Sequence, residues 1–359
     1  LGIILIISNH TLLLSFSMSN RKTSTIESIG KFGLIERLTN NLSLTNPHSV
    51  LGVGDDSAII ELSDKESLLL TTDLLVEGIH FNLMYVPLKH LGYKAVSIGI
   101  SDICAMNGKA EQITVSIAVS SKFPVEALDE LYDGINLACD DFHVDLVGGD
   151  MSSSVSGLVI SISAVGRVES NKITLRSGAK ANDIIMVSGT LGASYLGLQI
   201  LERENEVFKV NPVVQPELDG FDALIKRQLK PEARIDVVEL LDNLGIVPTS
   251  MIDISDGLAS DLFHLCEKSN LGCQLFEEKI PMDDLTKITA IDFNISPTTC
   301  ALNGGEDYEL LFTVAQIDFD KIAGNPSFTP IGYMLAQEEG KHLIDSNGEL
   351  IPLKAQGWQ

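Results

Sequence analysis

The chain has 359 residues, 45% of them hydrophobic and 21% charged; this suits about two domains with real cores and excludes a disordered chain. Its 49 acidic residues against 25 basic ones leave a formal charge of −24, which excludes the basic surface that non-specific nucleic-acid or anionic-membrane binding needs. Phosphorylated small molecules stay open as ligands, because a bound divalent cation can bridge acid to phosphate.

The first 17 residues are two apolar runs, 1–7 and 12–16, interrupted by Ser8-Asn9-His10-Thr11. Both are too short to span a bilayer, no basic residue precedes them and no A-x-A-like cleavage site follows. The natural start is expected at Met18, with 1–29 an extension lacking defined structure; a short membrane-associated tail is the alternative.

A helical pattern opens over 30–42, and 68–72 reads as a buried strand leading into Asp73. Leu88, Leu91, Ala95, Ile98, Asp102 and Ala105 recur at three- and four-residue spacing and predict a helix. A β-branched strand is expected over 114–119. A second helix is expected over 125–142 with Pro124 near its first turn, and a further strand over 158–165. The polar stretch 169–183 marks the join between two domains, 30–168 and 169–359. After it come a strand at 184–187, the loop Ser188-Gly189-Thr190-Leu191-Gly192 and a helix through Leu201. Residues 205–231, polar and proline-containing, are expected to wander. A short strand ends at Asp253, a helix follows over 256–268, and 309–314 is a late strand. This alternation predicts an α/β chain built of α+β layers.

Five short runs set aspartate beside a hydroxyl residue, a glycine or a second acid: Gly54-Asp55-Asp56-Ser57, Thr71-Thr72-Asp73, Ser101-Asp102, Gly148-Gly149-Asp150 and Asp253-Ile254-Ser255-Asp256-Gly257. Carboxylates near apolar segments are costly unless a cation or donor answers them, and hard cations on oxygen ligands accompany phosphate chemistry. Asp102 is the sharpest case, since it occupies a slot of an apolar stripe where Leu or Ala is expected. A metal is the economical partner; a helix end capped by Ser101 is the alternative. Asp55-Asp56 and Gly148-Gly149-Asp150 read, taken singly, as turns. Ser255 or Asp256 is suited to cap the helix that follows, at a terminus that also favours phosphate. Gly304-Gly305-Glu306-Asp307 repeats the glycine-then-acid pattern, and His80 after Glu77-Gly78 is a candidate substrate contact.

No P-loop, kinase H-R-D or D-F-G, H-E-x-x-H or G-x-S-x-G motif occurs. The five cysteines, Cys104, Cys139, Cys266, Cys273 and Cys300, contain no CxxC pair. A reduced, cytoplasmic protein without zinc or disulfides is the reading.

Together these motifs resemble the thiamine-monophosphate kinases, a family of the aminoimidazole-ribonucleotide-synthetase superfamily. The resemblance runs from Gly30 to Trp358 and rests most on Thr72-Asp73-Leu74-Leu75-Val76-Glu77-Gly78-Ile79-His80-Phe81 and on Gly304-Gly305-Glu306-Asp307-Tyr308-Glu309-Leu310. Tyr93-Lys94-Ala95, Arg176-Ser177-Gly178-Ala179 and the aspartate runs add to it. It implies an N-terminal domain whose sheet pairs across a homodimer, a C-terminal α/β domain, and transfer of the ATP γ-phosphoryl group to thiamine monophosphate. By the same resemblance Asp56, Thr71, Thr72, Asp73, Asp102, Asp150, Asp253 and Asp256 hold several Mg²⁺ ions. Gly149, Asp150, Arg176 and Ser255 contact ATP, and His80, Glu306 and Trp358 contact the thiamine phosphate. Asp102, Asp150 and Asp256 are the implied catalytic residues. The sequence departs from the family pattern at Met151-Ser152, where a threonine pair is usual, and at Cys104 and Asn107. Related superfamily enzymes that use a terminal cysteine fit less well, since no cysteine precedes Cys104 or follows Cys300.

Overall fold

A computed structural model describes residues 28–355 of the chain. The expectations for 1–27 and for Trp358 lie outside the described residues. The described residues form two compact units, 28–45 and 46–355. In the first, α1 (Gly30–Thr39) is a ten-residue helix. Its last turn is tightened by Thr39 Oγ1, which donates to the Ile35 carbonyl at 2.8 Å.

The second unit contains two sheets. The first is made of β1 (Ser49–Leu51), β2 (Ala58–Ser63), β3 (Glu66–Val76), β4 (Lys109–Val119), β5 (Asp145–Ser153) and β6 (Val159–Glu169), in the order β1-β2-β3-β6-β4-β5. Every pairing is antiparallel except β4 with β5. Its helices are α2 (Leu88–Ala105) and α3 (Val125–Phe142). The second sheet is made of β7 (Ile184–Ser188), β8 (Ser250–Asp253), β9 (Leu271–Phe276), β10 (Leu310–Val314), β11 (Phe328–Ala336), β12 (Lys341–Ile344) and β13 (Leu350–Pro352), in the order β13-β12-β9-β11-β7-β10-β8. Here only β9 and β12 run parallel. The accompanying helices are α4 (Ala193–Val210), α5 (Asp222–Leu229), α6 (Ile235–Asn243), α7 (Leu258–Ser269), α8 (Asp284–Asp292), α9 (Pro297–Asn303) and α10 (Phe319–Ile322). This is the mixed α/β architecture expected from the alternation of patterns.

Helix α2 is the centre of the unit. It packs on β3, β4 and β6, on α3 and on β8, so it is buried on nearly every side rather than along one stripe. Its crossing with α3 is close enough to need a glycine from each helix. A Cβ on Gly92 would sit 2.1 Å from the Leu131 carbonyl oxygen, and one on Gly134 would sit 1.8 Å from that of Lys89. One continuous core runs from Ile59 on β2 through α2 to Phe312 and Phe328 on the second sheet.

Strand β3 shows why register matters for the site. Side chains alternate across a strand, so Leu69, Thr71 and Leu75 turn inward while Leu70, Thr72 and Leu74 are exposed.

Two expectations are corrected. Residues 205–231 do not wander: α4 continues to Val210, with Glu204 and Asn205 buried, and α5 fills 222–229. The Glu204 carboxylate accepts from the Glu217 amide at 2.8 Å and so anchors the intervening loop. Gly148-Gly149-Asp150 is not a turn but the middle of edge strand β5, paired in parallel with β4. Among the described residues no helix is long and apolar enough to cross a membrane.

Candidate active site

Three of the aspartate runs converge. Carboxylate oxygens of Asp56, Asp102 and Asp253 all lie within 4.8 Å of one another. Each arrives from a different element: Asp56 from the loop before β2, Asp102 from the last turn of α2, Asp253 from the end of β8. Each also accepts from a protein donor. The Arg176 guanidinium forks onto Asp56, with Nη2 2.6 Å from Oδ1 and Nε 3.1 Å from Oδ2. Thr71 Oγ1 donates to Asp102. Ser101 Oγ donates to Asp253 Oδ2 at 2.6 Å. Ser101 therefore serves a neighbouring carboxylate and does not cap a helix end.

Burial and mutual repulsion leave this group electrostatically unsatisfied. Burial first, then Asp73, Asp253 and Asp56, raise Asp102 well above the usual carboxylate range, only partly opposed by the Thr71 bond. Asp253 is pushed up to about 7 by burial and Asp56, against the lowering influence of Ser101 and Arg176. Asp55 rises to about 6 through burial and Asp56, while the Arg176 backbone amide bonds its carboxylate. Three converging carboxylates in such a setting fit a hard divalent cation with oxygen ligands.

Next to Asp253, the chain turns through Gly257, whose φ of +106° suits glycine, into α7. Neither Ser255 nor Asp256 caps this helix through its side chain. The cap is reversed: Asp261, inside the first turn, accepts from the Ser255 amide at 3.0 Å and the Asp256 amide at 3.1 Å. Burial, together with Asp256 and Asp253, raises Asp261 well above its ordinary value.

A cavity of about 160 Å³ is lined by His80, Phe81, Tyr85, Lys94, Glu202 and Glu306, among others. It brings together two of the expected substrate contacts, His80 and Glu306. His80 Nδ1 accepts from the Val76 amide at 3.0 Å, which places any ring proton on Nε2. Glu306 and Tyr308 both adopt left-handed backbone, at φ +57° and +51°, uncommon for such residues and typical of functional loops. Tyr85 is pushed up to about 12 by burial and then by Glu202 and Glu306.

Other expected residues sit elsewhere. Thr72 faces the opposite side of β3 from Thr71; its Oγ1 donates to the Ile162 carbonyl at 3.2 Å, because adjacent strand residues point apart. The Thr71 and Thr72 hydroxyls therefore do not share one face of the strand. Gly149 and Asp150 are exposed on β5, outside the three-carboxylate group, and Asp150 Oδ1 accepts from the Met151 amide at 2.8 Å. Asp73 is close enough to raise Asp102, and Asp256 adjoins Asp261. Gln228, Tyr85 and Asp261 were not singled out by sequence reasoning, and Lys94 entered only within the motif Tyr93-Lys94-Ala95, with no role assigned. Lys94 and Asp261 carried a usable signal, since each is a charged residue inside an apolar helical stripe.

The AIR synthase related protein N-terminal domain matches residues 54–168. A thiamine-monophosphate kinase of Aquifex aeolicus is 34% identical over 93% of this chain and 99% of its own length. One of Bacillus subtilis is 33% identical over 91% and 98%. The chain belongs to the thiamine-monophosphate kinase family. A solved structure described as AaThiL complexed with AMPPCP and TMP superimposes with a TM-score of 0.80 at 32% identity, covering 94% of this chain and 99% of that one. Family membership thus extends over both sheets and all the elements that supply the carboxylate group.

Proposed function

We infer that the protein phosphorylates thiamine monophosphate to thiamine diphosphate, with ATP as the phosphoryl donor and ADP as the second product. The observation that carries this is the meeting of Asp56, Asp102 and Asp253 in a chain that matches thiamine-monophosphate kinases over nearly its full length.

The acceptor is a phosphate oxygen already ionised at neutral pH, so no strong base is needed; alignment and charge neutralisation are the burden. Asp56, Asp102 and Asp253 are the residues that would hold Mg²⁺, joined by Asp73, Asp256 and the Thr71 hydroxyl. The ion, when bound, offsets repulsion between the two anionic reactants. Arg176 brings a fixed positive charge to the rim of this group, and with Gly149, Asp150 and Ser255 it is assigned to ATP. Asp102, Asp150 and Asp256 are assigned to catalysis. His80 and Glu306, which share one cavity, are assigned to the thiamine phosphate, and Trp358 is assigned to it as well. Transfer is direct and in line.

The division into 30–168 and 169–359 is supported by the two separate sheets. A homodimer through the first sheet is supported by the apolar side chains that β3 turns outward, Leu70 at 40% exposure and Leu74 at 55%. A cytoplasmic location fits the five unpaired cysteines.

The deciding experiment incubates the protein with ATP, Mg²⁺ and thiamine monophosphate and separates the products. Thiamine diphosphate formed in step with ADP is expected. ADP without thiamine diphosphate, or a phosphorylated protein that turns over into product, would overturn the reading.

A further inference from the structure

Lys94 is a lysine in the middle of a buried helix, with 4% of its surface exposed. A buried ammonium is costly unless paired and hydrogen-bonded. Its Nζ lies 3.0 Å from Glu306 Oε1 and donates to the Gln228 carbonyl at 3.2 Å. Gln228 completes the arrangement, because its side-chain Nε2 donates to Glu306 Oε2 at 2.9 Å. Both oxygens of Glu306 are therefore held from below, and Gln228 is itself fixed by Ser194 Oγ at 2.7 Å.

The backbone of Glu306 is held as well. Its amide donates to the Ser255 carbonyl at 2.8 Å, and the Tyr308 amide donates to the Ile254 carbonyl at 2.9 Å. The Glu306 loop thus lies against the segment that carries Asp253. Lys94 and Asp102 stand on one helix, eight residues and hence about 12 Å apart along its axis. The cavity wall and the carboxylate group are tied to each other twice, through the paired loops and through α2.

We propose that Lys94 is a positioning residue for the acceptor substrate: it fixes the Glu306 carboxylate in the wall of the cavity and, through α2, at a set distance from Asp102. This rests on the reading of the His80 and Glu306 cavity as the thiamine-monophosphate site. A carboxylate pinned before the substrate arrives loses no rotamer freedom on binding, so the benefit falls on acceptor affinity. ATP contacts neither residue in this assignment, so its affinity is independent of Lys94.

Steady-state kinetics on Lys94→Met, Glu306→Gln and the double variant test this. Glu306→Gln is expected to raise KM for thiamine monophosphate about tenfold, with KM for ATP at its wild-type value. Lys94→Met is expected to do the same, and Lys94→Met in the Glu306→Gln background is expected to add nothing. Lys94→Met alone leaves a partly buried carboxylate uncompensated and can fail to fold, whereas the double variant removes both charges. The comparison of Glu306→Gln with the double variant therefore decides the matter by itself. A further rise in KM for thiamine monophosphate in the double variant, or a parallel rise in KM for ATP, refutes the positioning role while leaving the site in place. A wild-type KM in Glu306→Gln removes the cavity from acceptor binding, and the role of Lys94 with it.

Discussion

Ser101 Oγ lies 2.6 Å from Asp253 Oδ2, a hydrogen bond between residues 152 positions apart in the chain. Ser101 belongs to α2 and the first sheet's layer, Asp253 to the edge strand of the second sheet. The next residue on α2, Asp102, takes a hydrogen bond from Thr71 on β3. A single turn of helix thus receives one donor–acceptor link from each sheet, and the carboxylate group forms where those links meet.

Asp102→Asn should lower turnover by at least about a hundredfold, because the amide keeps the Thr71 bond but gives up the anionic oxygen. The thermal midpoint measured without Mg²⁺ should not fall, since burial already disfavours the charged form of Asp102. A near wild-type rate in the variant would remove Asp102 from the chemistry.

Asp261→Ala strands two partly buried amides, those of Ser255 and Asp256, and should cost about 1–3 kcal/mol in urea unfolding. Asp261→Asn retains an acceptor oxygen and should cost clearly less. Equal losses in the two variants would mean that the reversed cap does not hold the loop.

Asp307 gives a dependence on pH. Burial lifts it from an ordinary 3.8 to about 7, outweighing Arg227 and the Gly192 amide. A folded-state value above the unfolded one means that the native protein binds the extra proton. Its contribution is complete below about 4 and declines as pH rises through about 7. Stability of the wild type relative to Asp307→Asn should therefore fall between about pH 4 and about pH 7, by no more than about 1.4 kcal/mol per unit. Denaturant midpoints of the two proteins, taken in parallel, check this. A difference that grows with pH would contradict the sign.

Helix α2 and strand β3 were legible because their periods are strong, and Asp102 stood out against the stripe it interrupts. The same logic, applied to Lys94 beside Leu91 and to Asp261 between Leu258 and Leu262, would have marked both. Alternation alone separates Thr71 from Thr72. Strand β5 was hidden for a different reason: its side chains are mostly exposed and two are absent, so nothing in the pattern reports a strand held by backbone pairing to β4. The reversed cap at α7 was hidden by local chemistry, since Ser255 and Asp256 are good caps by type while the acceptor lies further along the chain.

Arg176, Thr71 and Ser101 each occupy one of the three converging carboxylates. Assembly of the fold and readiness for chemistry are for that reason expected to be separate events. Stripping divalent ions with a chelator should silence the protein without melting it, and adding them back should restore turnover without a refolding step.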